Sequence, residues 1–153
     1  MPFPDIPSIV LWLLALDLSV AFGAGLYEAR IVVPLWSSAP PESLHSPDSG
    51  RRFWAFATTV PLTLLAIASM VLLLTPMSEQ RRLWWTIATG LVVLERIATF
   101  AYFIPAMIRL QRTQDFAWND VRKKFARWRA LNYGRLVATL AAWAAATAAL
   151  TAT

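Results

Sequence analysis

Cysteine is absent from the 153 residues, and histidine occurs once, as His45. The first absence excludes disulfides, thiolate nucleophiles and Fe–S or Cys-ligated zinc sites. The second excludes bis-histidine haem and multi-histidine metal centres built within one chain. Charge is scarce too: 15% of residues are Asp, Glu, Lys or Arg, against about a quarter in a soluble domain. With 58% of its residues hydrophobic, a chain this short has too little interior to hide them from water. A hydrocarbon solvent removes the difficulty, so the composition points to one integral membrane domain, residues 1–153. Met1-Pro2-Phe3-Pro4-Asp5 lacks the basic n-region of a secretory signal, and the first apolar stretch reads as a retained helix.

Four segments meet the requirement of about 20 apolar residues for crossing a bilayer. They cover about 6–33, 53–74, 83–108 and 130–152. The second carries no charge, and Pro61 is expected to kink it. The expected fold is all-α, a four-helix integral membrane bundle. The connections are rich in Pro, Ser and Gly, as in 34–50 and at Thr75-Pro76-Met77-Ser78. No repeats or heptads are present.

The third connection differs from the other two. In 115–129, Trp118, Val121, Phe125 and Trp128 recur at helical spacing, while Arg122, Lys123, Lys124, Arg127 and Arg129 fill the remainder. That pattern predicts a short amphipathic basic helix between the third and fourth spans, lying in the headgroups of an anionic leaflet. The net charge of +5 therefore reads as membrane topology and lipid contact, with no nucleic-acid partner. The first and third connections must share a side, and they also hold Arg51, Arg52, Arg109 and Arg112. The opposite side has Arg81 and Arg82. The positive-inside rule then places the basic loops in the cytoplasm and both termini outside, in a bacterial inner (plasma) membrane. Trp12, Trp36, Trp54, Trp84, Trp85 and Trp143, near span ends, read mainly as an interfacial belt, and Tyr27 as an anchor or a site residue. His45 falls in a turn-rich loop and reads as solvated.

Six charged side chains fall inside the spans: Asp17, Glu28, Arg30, Glu95, Arg96 and Arg135. Each costs about 3 kcal/mol or more near the bilayer centre unless it is paired or faces the bundle interior. Counting turns places Asp17 level with Glu95-Arg96, and Glu28 level with Arg135. Asp17 and Glu28, eleven residues apart, project within about 20° of each other. Ala21, Ala24 and Gly25 between them would let a neighbouring helix approach closely. Glu95, Thr99, Tyr102, Ala106 and Arg109 form a second stripe, and Trp128, Asn132, Arg135 and Thr139 a third. The expected ion pairs are Asp17 with Arg96 and Glu28 with Arg135, in a network completed by Glu95, Tyr102 and Asn132.

Gly23-Ala24-Gly25-Leu26-Tyr27-Glu28 with Val33-Pro34-Leu35-Trp36, then Tyr102-Phe103-Ile104-Pro105, then Trp128-Arg129-Ala130-Leu131-Asn132-Tyr133-Gly134-Arg135 resemble, in order and spacing, the anthrone-oxygenase-like family. These are small four-helix membrane proteins, most without an assigned activity. The resemblance spans nearly the whole chain and implies a four-helix membrane fold. The characterised members are cofactor-independent oxygenases that convert anthrones to anthraquinones.

Such chemistry needs a base to generate a carbanion, donors to hold the oxyanion, and an apolar pocket for substrate and oxygen. Glu28 or Glu95 is a candidate base; Asn132, Arg135 and Tyr102 are candidate donors. Asp17 and Arg96 are either substrate-binding or a structural ion pair. No metal or cofactor is expected, and the ligand class is an apolar aromatic or quinone-like molecule. Two rivals stay open. One is a non-catalytic subunit, or homo-oligomer, whose buried ion pairs fix helix register. The other is a small transporter or proton relay through Asp17, Glu28 and Glu95, weakened by the absence of inverted repeats. An internal cavity lined by the polar cluster favours the enzyme; the same groups closely paired without a void favour the subunit.

Overall fold

A computed structural model describes residues 5–36, 51–112 and 118–152, all of them helical apart from short ends and one turn. Four helices are long and apolar enough to cross a membrane. We call them α1 (Ile6–Trp36), α2 (Trp54–Leu72, with a lead-in over Arg51–Phe53), α3 (Glu79–Ala98 continued by Thr99–Phe103 and Ile104–Arg112) and α4 (Trp118–Thr151). The loop holding His45 lies outside the described residues, as do 113–117.

The start of α1 is fixed locally. Asp5 caps it by accepting from the Ser8 amide at 3.0 Å, and Pro7 fills a position where no amide donor is required. Ser78 caps α3 through the Arg81 amide. Arg81 Nη2 in turn donates to Ser8 Oγ at 2.9 Å, tying the two helix starts together.

At this end the bundle is densely filled. Leu11, Leu14 and Leu18 of α1, Leu62 of α2, Trp85 and Val92 of α3, and Ala142, Ala145, Ala146 and Ala149 of α4 form one core. Lipid tails are as apolar as these side chains, so close packing rather than escape from water holds helices together here. The alanines of α4 serve that packing by letting backbones approach. Several hydroxyls bond within their own helices, as when Thr63 donates to the Thr59 carbonyl at 2.6 Å and Ser19 to that of Ala15 at 2.8 Å, whereas Ser69 Oγ and Thr89 Oγ1 are buried without a partner.

The basic end is built differently. Val33 and Trp36 of α1, Phe103 of α3, and Phe125 and Trp128 of α4 make a second core to which, among the described residues, α2 contributes nothing. Beyond Pro61, α2 packs on both α1 and α3, but its Trp54–Thr59 segment leans chiefly on α1. The bundle is thus parted between α2 and α3 in this half.

Three helices widen into π turns at this level: Glu28–Val32 in α1, Trp54–Thr59 in α2 and Thr99–Phe103 in α3. A proline follows each at the same offset, as Pro34, Pro61 and Pro105. A proline ring collides with the carbonyl four residues back, here those of Arg30, Ala57 and Ala101, each inside its π segment. Widening the turn moves that carbonyl aside. The amide preceding each proline then bonds five residues back, Val33 to Glu28, Val60 to Ala55 and Ile104 to Thr99. The α1 span, expected to end at Val33, instead passes through Pro34 by this device, and α3 passes through Pro105 in the same way.

The amphipathic segment expected as a separate interfacial helix is continuous with α4 from Trp118. No glycine or proline interrupts 118–133, so nothing breaks the hydrogen-bond ladder between its basic and apolar parts.

Candidate functional site

Between the two cores lies a cavity of about 310 Å³, and the charged side chains meet on its wall. Ala21 and Glu28 come from α1, Trp54, Thr58 and Thr59 from α2, Glu95, Arg96, Thr99 and Phe103 from α3, and Trp128, Arg135 and Thr139 from α4. Glu28, Trp54 and Thr99 each open one of the π segments. The widened turns therefore place the first residue of each bulge on the cavity. The volume falls at the small end of the range for ligand pockets, with room for one small fused-ring molecule. Its lining is mostly apolar. The mouth lies where α2 and α3 part: Ile104 and Ile108, both on the lining, are 39% and 37% exposed.

Arg135 is the centre of the polar wall. Its Nε is 3.8 Å from Glu95 Oε1 and its Nη2 is 4.0 Å from Glu28 Oε2. Both distances exceed a direct hydrogen bond, so the guanidinium is shared rather than closed on one partner. The Phe103 ring stacks on it at 4.7 Å and Trp54 at 5.9 Å, holding its plane in place by cation–π attraction. Glu95 is bound more firmly than Glu28. It accepts from Arg96 Nε at 2.6 Å and from Thr99 Oγ1 at 3.1 Å, and Arg96 Nη2 also closes on it as an ion pair. Glu28 has only the distant Arg135 guanidinium as a charged partner among the described residues. All four charged side chains are at most 15% exposed.

The structure brings together Glu28, Glu95, Arg96 and Arg135 on one cavity wall. It corrects the remaining expectations. Asp17, expected to pair with Arg96, makes no ion pair among the described residues, and its Oδ2 is buried without a hydrogen bond. Arg96 folds back on Glu95, the nearer carboxylate, leaving Asp17 reached only by its field. Tyr102 and Asn132 do not line the cavity. Tyr102 stacks edge-on against Phe103 in the second core. Asn132 is 1% exposed, with both amide atoms unpartnered. Tyr27 is 62% exposed and belongs to the outer surface. The tryptophans divide: Trp12, Trp84 and Trp143 are exposed, as a belt requires, but Trp36 and Trp85 are core residues and Trp54 lines the cavity.

Sequence reasoning missed the contribution of α2. Having no charge, that span offered no obvious chemistry, yet Trp54, Thr58 and Thr59 supply one wall. The available signal was a Thr-Thr pair two residues before a proline in an otherwise apolar helix. Among the described residues no group of three or more His, Cys, Asp or Glu is placed to hold a metal ion. In comparisons with known proteins, no family model, no curated protein and no solved structure matches this chain.

Proposed function

We propose that the cavity binds a flat, apolar aromatic or quinone-like molecule and that the protein is a cofactor-independent oxygenase of the anthrone-oxygenase-like kind. One observation carries the reading: two carboxylates share one guanidinium, at separations too long for closed pairs, on the wall of an apolar cavity. Closely paired groups with no void would serve packing alone.

Glu28 is the less encumbered carboxylate and takes a proton from an activated ring methylene of the substrate. Arg135 holds the developing ring oxyanion, with Arg96 next to it and Glu95 fixing both. Preset charges of this kind cost no reorganisation when negative charge appears. Oxygen, which partitions into apolar space, adds to the carbanion. The carbon loses two hydrogens and gains one oxygen atom, and the second oxygen atom leaves as water with the proton returned by Glu28.

The protein would sit in a bacterial inner (plasma) membrane with the basic ends of α3 and α4 at the cytoplasmic face, where Lys123, Lys124, Arg127 and Arg129 meet anionic headgroups.

Oxygen uptake by the purified protein with anthrone as substrate tests the chemistry. The expected result is one O₂ consumed per anthrone, and a loss in Glu28→Gln on the order of 10²-fold or more, the usual contribution of a positioned base. If the wild type neither turns over nor binds anthrone, the proposal fails, and the ion pairs serve helix packing.

A further inference from the structure

A second apolar hollow lies on the outer face of the seam between α2 and α3. It is a groove of about 510 Å³ lined by Thr63, Ala66 and Ile67 of α2 and by Arg96, Ile97 and Ala101 of α3, among others. Arg96 lines both this groove and the internal cavity. Along α2 the cavity wall ends at Thr59 and the groove begins at Thr63, one turn on. Along α3 Ile104 marks the cavity mouth and Ala101 the groove, again about a turn apart. The two hollows therefore follow one seam, from Ala55 to Met70 on α2, a run of about 22 Å at 1.5 Å per residue. The cavity end is charged and the groove end is apolar.

We infer that the ligand is an amphiphile: a ring head group lodged at Arg135 and a long prenyl-like or acyl tail laid in the α2–α3 groove, with Arg96 at the junction. This rests on the ligand reading above and narrows it to a substrate class. Three features of the seam favour a tail over an ordinary annular lipid. The groove shares a charged residue with the cavity, which annular lipid does not need. The cavity mouth opens into the same seam, between Ile104 and Thr59, so a molecule entering from the acyl-chain layer passes head first and leaves its tail behind it. The cavity alone fits a ring system without a long substituent, so a tail has to lie outside, and the groove is the apolar surface next to the mouth. The ligand would thus reach the site sideways from the bilayer, never crossing the headgroups.

The test uses two probes with one ring: 2-methyl-1,4-naphthoquinone without a tail, and the same ring bearing a four-isoprene tail. Each is titrated into phosphatidylcholine vesicles holding the protein, at matched mole fraction in the lipid. Saturable quenching is read in a background where Trp12, Trp84 and Trp143 are phenylalanine, which leaves Trp36, Trp54 and Trp128, all on the cavity lining, and also Trp85 and Trp118. The wild-type site should bind the tailed probe at least 10-fold more tightly. Ala101→Phe, at an exposed position of the groove, should abolish that advantage and leave the tailless probe within twofold. Ile67→Phe does the same from α2 and stands in if Ala101→Phe fails to fold. Equal affinity of the two probes, or a groove variant that weakens both or neither, overturns the inference while leaving the cavity reading intact. If neither probe quenches saturably, the cavity reading itself falls.

Discussion

Arg135 stands between two carboxylates and closes on neither, and that arrangement sets what its replacement should do. Removing a buried charge while its partners stay costs about 3–5 kcal/mol. Arg135→Ala should therefore lower the detergent-solubilised Tm by several degrees or more, and Glu28→Gln in the same chain should recover part of the loss by removing one uncompensated carboxylate. Independent, additive effects in that double variant would mean that the two residues do not interact. Gly25 acts through size instead. A Cβ there would lie 2.5 Å from Leu136 Cδ2, so Gly25→Ala must push Leu136 aside. Leu136 lines the cavity, and its shift should narrow the site as well as destabilise by about 1–3 kcal/mol, the usual cost of overpacking. Ligand titration and a melting curve on one sample separate the two effects. At the other end, hydrogen bonds from Ser8, chiefly its hydroxyl, and the Arg81 charge hold the Asp5 carboxyl below its ordinary pKa. A depressed carboxylate stabilises above its unfolded pKa, and that contribution is lost as pH falls through the folded value. Amide exchange at Ser8 should accordingly accelerate only below the usual carboxylate range, and Asp5→Asn should abolish the pH dependence.

At the scale of the helix, the three prolines are the devices that shape the site. Pro61→Ala removes the clash with the Ala57 carbonyl and allows the Trp54–Thr59 turn to tighten into α-helix. That rotates the Trp54 side of α2 relative to its far half. We expect ligand affinity to fall by about tenfold (about 1.4 kcal/mol) with little loss of fold, because the α2 core residues Leu62 and Ala66 lie beyond the proline. A variant that binds as the wild type does would show that the π turn is incidental. This is also where the sequence was only partly legible. Hydropathy found all four crossings, since a bilayer demands satisfied backbone groups and few arrangements supply them. The polar stripes were legible because a charge turned to lipid is so unfavourable. The π turns were not, because apolar periodicity is blind to one extra residue per turn, and Pro34 and Pro61 read as a helix end and an ordinary kink site. The bulge in α3 contains Tyr102, which lies off the cavity wall. An angle count at 100° per residue holds for α3 only as far as the bulge at Thr99–Phe103.

Taken whole, the molecule has a filled end and an open end. Small residues bring four helices together around Trp85, while the other core is made by three helices with α2 standing off. Destabilising substitutions should divide accordingly. Ala146→Leu, in the filled end where Ala146 is fully buried, should prevent folding or cost at least 1–3 kcal/mol by overpacking. Exposed residues of the seam should tolerate bulk and report on ligand affinity instead. Reporter fusions at residues 48 and 77 check the orientation: the first is expected on the cytoplasmic side and the second outside, and the reverse would overturn the placement of the basic end.

The length of α4 has a mechanical outcome. At 34 residues it measures about 51 Å, against a hydrocarbon layer of about 30 Å, so its basic turns overhang as a rigid arm. Trp128 and Arg135 ride on the same rod as Lys123 and Lys124, with no joint between them. Displacing the basic turns would therefore displace Arg135 in the cavity wall as well, since one unbroken helix carries both.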